Sequence, residues 1–381
     1  MKNIIFIALV GLLVACDGNT GFSFNSQDEM DWLIFRGDAA LTGYTTLRLP
    51  DKPELLWTYK GGKNTKSSPV VHNGVTYWSN DRGCISGVDI NGKLQFEYDL
   101  KTAVNAIPMI YDSTLYIGRI DGIMMAISLA KKDTVWTYET MGQISASANV
   151  MELDGRRTIV FGSYDNFLYF VDSKDGTLIN SFESDYYLNG AVALYDNYVV
   201  FGGCDAWLRI IDCQTGVSTD SLMMDAYIPA SPAFMDNYCY IGDYSGNIYE
   251  LFIEKGKITN HKKIMTPSND SGSFISVPAI TPTTLYFLSD DRFLYSINRK
   301  GGDVIRKYML KGGIGESSPV VCQDKIIVCT RTGIVTILDA KNGQPVWEYD
   351  TGEQIIASPA VVKGHFMILT AKGTLFCFGK K

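Results

Sequence analysis

One phrase recurs along this chain at a nearly constant interval. SSPVV stands at 67–71, SPAF at 231–234, ESSPVV at 316–321 and IASPAVV at 356–362. With the proline as anchor the copies fall at Pro69, Pro108, Pro232, Pro278, Pro319 and Pro359, and degenerate copies place Ala148 (SASANV) and Val192 (NGAVAL) at the same point. Successive spacings are 39, 40, 44, 40, 46, 41 and 40 residues, which makes eight units. A fixed period of this length marks a repeat architecture, in which each unit is one supersecondary element that needs its neighbours to bury its faces.

Each unit has one grammar. The phrase leads into a short turn and then an alternating run such as VTYWS, TLYIG or CYIGD. A polar turn follows, such as Asn80-Asp81-Arg82-Gly83 or Asp121-Gly122, and then a third run (MMAISL, LYFVD, VTILD). A second turn (DSKDGT, DAKNGQ) leads to a fourth run, best written in VWTYET and PVWEYDT. Short alternating runs between Gly/Asp/Asn turns are strands in hairpins. Four antiparallel strands repeated eight times predict an all-β chain, an eight-bladed β-propeller. The recurring serine is then scaffold: a small residue suits the crowded axis, and proline suits the first position of a strand. A nucleophile present in several blades at once has no catalytic sense.

The last unit stops at TLFCFGKK without a fourth strand, whereas ELLWTYK at 54–60 is a fourth strand with no blade of its own. The two complete each other, so residues 54–60 are expected to close the ring and remove its open edge. Residues 1–15 read as a signal peptide: Lys2 precedes the apolar run Ile4 to Val14, too short to span a bilayer. Leu13-Val14-Ala15-Cys16 resembles a lipobox, which makes Cys16 the lipid-attachment site. The expected organisation is a signal peptide at 1–15, a lipidated tether and leader at 16–53 and the propeller at 54–381. The leader reads as dispensable unless FRGDAALTGY packs on the ring.

The formal charge of −7, with basic residues scattered, offers no track for nucleic acid. The seven cysteines after Cys16 (84, 204, 213, 239, 322, 329 and 377) form no CxxC pair, and most sit in apolar runs as small hydrophobes. His72, His261 and His365 are too scattered for zinc. No metal site is expected. The aspartates at 81, 121, 165, 205 and 290 fall at second-to-third-strand turns, where Asp is what a tight hairpin requires.

The pattern SPVV…DGxLYALDxxTGxxxWxY, nearly complete at 319–351, resembles the pyrroloquinoline-quinone (PQQ) type repeat over residues 32–381. Trp32 and FRGDAALTGYT (35–45) resemble the leader of that family. The fourth-strand tryptophan survives only at Trp57, Trp136 and Trp347. For the quinoprotein dehydrogenases the resemblance implies an axial cofactor, an adjacent-cysteine disulfide, calcium ligands and an aspartate base. This chain has no Cys-Cys dipeptide and no long insertions. It is more similar to the BamB-type lipoproteins of outer-membrane barrel assembly, which implies a non-catalytic, lipid-anchored scaffold with no cofactor. Its setting would be the bacterial cell envelope, at the periplasmic face or the cell surface, with the outer membrane favoured.

The expected partner is an envelope protein; a glycan or other small ligand on the axial funnel is the alternative, and a PQQ-dependent enzyme ranks last. Fourth-to-first loops and second-to-third turns share one face of a propeller. Around blade four that face collects Tyr186, Tyr187, Asn189, Asp205, Asp225 and Tyr227, with Tyr244 from blade five. Tyrosine flanked by acids is a hot-spot composition. Trp207, inside a strand, is expected to pack between blades.

Overall fold

The computed structural model describes residues 28–265 and 272–381. The apolar segment 1–15 and Cys16 lie outside the described residues. Eight four-stranded antiparallel blades follow one another in chain order, and blade 7 gains a fifth strand from the leader, Tyr44–Thr45, paired parallel with its innermost strand. Blade 1 is Val70–His72, Val75–Ser79, Cys84–Asp89 and Leu94–Asp99. The innermost strands of blades 2 to 8 are Met109–Tyr111, Asn149–Leu153, Ala193–Tyr195, Ala233–Met235, Ala279–Ile280, Val320–Cys322 and Ala360–Val362. The ring closes as expected. Glu54–Lys60 pairs antiparallel with Thr374–Gly379, from Glu54 opposite Gly379 to Lys60 opposite Thr374, and completes blade 8.

Turn chemistry explains why these residues form hairpins. The first-to-second turns of blades 1 to 3 use two consecutive residues at positive φ, as in Asn73-Gly74 (50°, 72°) and Asp154-Gly155 (48°, 73°), the geometry that matches strand twist. The second-to-third turns need one residue at positive φ. Where glycine is missing there, Asn166, Ala206 and Arg292 take the strain, and the aspartate before each accepts a backbone N–H two residues on. Those bonds are Phe167 N–H to Asp165 (3.1 Å), Trp207 N–H to Asp205 (3.2 Å) and Phe293 N–H to Asp291 (3.0 Å). The turn aspartates are hinge pins of the hairpins.

The repeated serine has a structural office too. Val277 N–H donates to Ser318 Oγ (3.0 Å), Ser318 N–H to Ser358 Oγ (3.0 Å) and Ser358 N–H to Ser68 Oγ (2.9 Å). The hydroxyl of one blade thus receives the backbone of the blade before it, from blade 6 through to blade 1. An apolar residue there would orphan a buried N–H.

The leader makes one circuit of the axis. Its carbonyls accept Lys363 N–H at Glu29 (blade 8), Val71 N–H at Trp32 (blade 1) and Ile110 N–H at Leu33 (blade 2). Ala39 O takes Asn149 Nδ2 of blade 3 and Leu194 N–H of blade 4. Ala40, Thr42 and Gly43 then take Phe234, Ile280 and Val321 of blades 5, 6 and 7. From the middle of this circuit the fully buried Arg36 donates to the carbonyls of two anchor prolines, Pro319 (2.6 Å) and Pro278 (2.9 Å). Burial pulls its guanidinium down to about 9, opposed by Asp38, so it stays charged at neutral pH. The leader is therefore part of the ring and not a dispensable tether.

Two glycines of the leader are there for space. A Cβ on Gly37 would sit 2.7 Å from the Trp32 ring, and one on Gly43 would sit 1.9 Å from the Arg36 guanidinium. Gly62 has a similar φ of +68° but nothing within 4 Å. We predict that Gly62→Ala costs about 1 kcal/mol in urea denaturation, the backbone strain alone. Gly43→Ala should cost about 3 kcal/mol or more, because it also expels Arg36. Equal losses would mean that the seating of Arg36 contributes nothing to stability.

Candidate functional site

The loops that carry the sequence-selected residues are held by a repeated backbone bond. The second-to-third turn of a blade donates to the loop that precedes that blade: Tyr164 N–H to Gln143 O (2.9 Å), Tyr244 N–H to Tyr227 O (3.1 Å). This brings turn and loop side chains together on one face. Tyr227 and Tyr244 stack with ring centroids 4.3 Å apart. Tyr187 stacks on Tyr164 at 4.7 Å and lies 4.6 Å from Tyr186. Tyr186, Tyr227 and Tyr244 keep 44%, 39% and 49% of their surface in solvent, so these stacks are presented and not buried.

Cys204 lies beside the first group and stands at the turn position that Tyr164 and Tyr244 occupy in blades 3 and 5. Asn189 Nδ2 lies 3.6 Å from its Sγ. A hydrogen bond with Cys204 raises the Tyr187 pKa. Burial and then the contact with Tyr244 push Tyr227 up to about 12. Both phenols stay neutral across the biological range, so they offer stacking and hydrogen bonding without charge.

The two acids behave otherwise. Asp205 is gripped by the buried Arg209, which also reaches Asp185 (3.0 Å). Burial pulls Asp205 up, but the Arg209 and Trp207 N–H bonds outweigh it and hold the carboxyl below its ordinary range. Asp225 is paired with Lys263. Both acids have a basic partner within the chain, and Asp225 keeps 53% of its side chain in solvent beside the tyrosines. Trp207 is half-buried.

Sequence reasoning missed Tyr164. The signal was present in the register of FGSYDN, FGGCDA and IGDYSG, which puts Tyr164, Cys204 and Tyr244 at one repeat position.

Tyr164 and Asn189 also line the axial funnel, a cavity of ≈ 570 Å³ opening on the same face. Serines 68, 147, 231, 318 and 358 line it, with Phe35 from the leader. Among the described residues its charged lining is Lys66 and Glu316. Hydroxyls, amides and a tyrosine rim make a surface suited to polar, stackable ligands.

The family profile described as outer membrane protein assembly factor BamB matches residues 48–186 and 290–380. The chain belongs to this family. BamB from Moraxella catarrhalis is similar in structure, with a TM-score of 0.72 and 18% identity over 86% of this chain and 98% of that one. So is the quinohemoprotein alcohol dehydrogenase from Comamonas testosteroni, with a TM-score of 0.74 and 14% identity over 92% and 81%. A europium-containing methanol dehydrogenase gives 0.74 and 11% over 93% and 99%. At these identities the structures share the fold alone. No curated protein matches the sequence.

The dehydrogenase relatives raise the question of a quinone with calcium on the axis. Calcium takes six to eight oxygens, carboxylates prominent among them. Among the described residues the funnel lining offers one carboxylate, Glu316, and the chain has no adjacent cysteines. The residues do not fit that group.

Burial also raises Tyr116, Tyr169, Tyr240, Tyr249 and Tyr295, and Asp165 and Asp291 hold Tyr169 and Tyr295 further up. A raised phenol stabilises the fold below the unfolded pKa, and that contribution is lost as pH climbs above it. Urea midpoints should therefore fall as pH rises beyond about 10. A flat alkaline profile would contradict the burial of these phenols.

Proposed function

We propose that this chain is a non-catalytic scaffold of the bacterial cell envelope, anchored by lipid on Cys16, that docks an envelope protein on the tyrosine face of blades 3 to 5. The observation that carries the reading is the pair of solvent-presented tyrosine stacks, Tyr164–Tyr187–Tyr186 and Tyr227–Tyr244, fixed on a closed ring. Rigid aromatic rings on loops of a stiff scaffold give contact area at low entropic cost. Membership of the BamB family supports a partner in outer-membrane protein assembly. The leader gives the anchor a mechanical role, since the segment leaving Cys16 is the one that enters the axis at Glu29.

A second reading has its own support. The hydroxyl- and amide-lined funnel is continuous with Tyr164 and Asn189, and a glycan stacked on the rim could reach into it.

The triple variant Tyr186→Ala, Tyr187→Ala, Tyr227→Ala separates these readings. It should melt within about 2 °C of wild type, as expected for surface changes. Affinity capture from membranes should lose the assembly proteins that wild type retains. Loss of oligosaccharide binding with protein capture intact would favour the glycan reading. Stoichiometric quinone binding would overturn the non-catalytic assignment. Cys16→Ser should abolish incorporation of labelled fatty acid, and equal labelling would remove the anchor.

A further inference from the structure

Four of the eight blade junctions are filled by an aromatic of the fourth strand at one register position. Trp57 stands opposite Cys377, Phe96 opposite Gly87, Trp136 opposite Ala126 and Trp347 opposite Ile337. The ring reaches the following blade: Trp57 Nε1 donates to Ile90 O (2.8 Å) and Trp136 Nε1 to Ser173 O (2.9 Å). Trp347 packs edge-on against Phe378 at 5.2 Å. In blades 1 and 2 a second-strand tyrosine walls the ring, Tyr77 at 5.6 Å from Phe96 and Tyr116 at 5.8 Å from Trp136.

Blade 5 keeps the wall and lacks the ring. Tyr240 faces Ala233 in the register that Tyr77 has with Val70 and Tyr116 with Met109. The aromatic stands opposite the third-strand residue two past the pair that closes the second hairpin, Met124 opposite Gly118 in blade 2 and Ile248 opposite Gly242 in blade 5. In blade 5 this is Glu250, and opposite it stands Lys262. Lys262 Nζ is drawn to Glu250 at 3.0 Å, and a cleft of ≈ 430 Å³ opens between blades 5 and 6.

The cleft is built. At its depth lie the buried Tyr240, Glu250 and Arg299. Arg299 is held fixed by Met235 O, Thr281 O, Pro282 O and Asp236, with its guanidinium 5.8 Å from the Tyr240 ring centre. Half-buried Tyr238 and Phe252, edge to face at 4.9 Å, form an aromatic wall. The exposed rim carries Lys262 and Lys300, with Lys263 next along the outer strand.

We propose that this cleft receives, in trans, the aromatic side chain of a partner polypeptide whose flanking residues are acidic. The same chain fills the corresponding space with an indole three times, which defines the chemistry the space accepts. The lysine rim selects the flanks. First-to-second and third-to-fourth turns line the cleft, so it opens on the opposite side of the ring from the tyrosines and is independent of the face proposed above.

Calorimetric titration of the full folded chain with three blocked peptides tests the proposal: Glu-Trp-Glu, Glu-Ala-Glu and Lys-Trp-Lys. Glu-Trp-Glu should bind about tenfold or more tighter than either control, one factor for the buried ring and one for the charges. Lys262→Trp should occupy the cleft in cis and abolish the binding. Should that variant fail to fold, Lys300→Glu on the exposed rim should weaken Glu-Trp-Glu and leave the melting temperature unchanged. The triple tyrosine variant should bind the peptide as wild type does, so loss of the opposite face would not imitate failure here. Equal affinity for the tryptophan and alanine peptides, no binding at millimolar concentration, or undiminished binding by Lys262→Trp would overturn it.

Discussion

Every blade of a propeller begins with a strand that has a neighbour on one side only. Its other edge faces the axis, where eight such edges converge and backbone N–H groups must find acceptors. In this protein the acceptors are the carbonyls of the leader. One segment of fewer than twenty residues visits all eight blades, and Arg36 adds bonds to two of the prolines that open the inner strands. The rest of the architecture depends on that contact. It ties the inner strands to one another through a common segment, and Phe35 of that segment lines the funnel.

The N-terminal residues thus hold the ring twice. The leader ties the inner edges together, and a few residues later 54–60 completes blade 8 by pairing with the C-terminal strand. An anchor placed ahead of such a segment is coupled to the whole ring and not to a single blade. Loops projecting from so constrained a frame lose little entropy on binding, which is what a docking surface requires.

Departures from the repeat are informative because the repeat itself is structural. Ser68, Ser318 and Ser358, the turn aspartates Asp165, Asp205 and Asp291, and the tryptophans Trp57 and Trp136 each carry an internal bond that accounts for them. Where the pattern lapses, as at Tyr164 and Tyr244 in the turns and Lys262 in an outer strand, the chain places side chains at the surface that the repeat does not call for. Local rules are broken most readily where function claims the position.

The sequence alone determined the fold class, the eight units, the closing strand and the scaffold role of the SPVV serines. These follow from alternation and turn chemistry within a few residues, and the period carries them around the ring. It also placed Tyr186, Tyr187, Tyr227 and Tyr244 on one face, since strand direction alternates. Only the tertiary structure decided what those side chains do. Asp205 is paired with Arg209 and Asp225 with Lys263, partners that only the folded blades bring within reach. The leader's place on the axis could not be read from its residues, because Arg36 finds its partner 283 positions away at Pro319. The open cleft beside Lys262 likewise needed two blades in contact. Hydrophobic period and turn type are local properties of the chain, whereas partners across a closed ring exist only once the ring has closed.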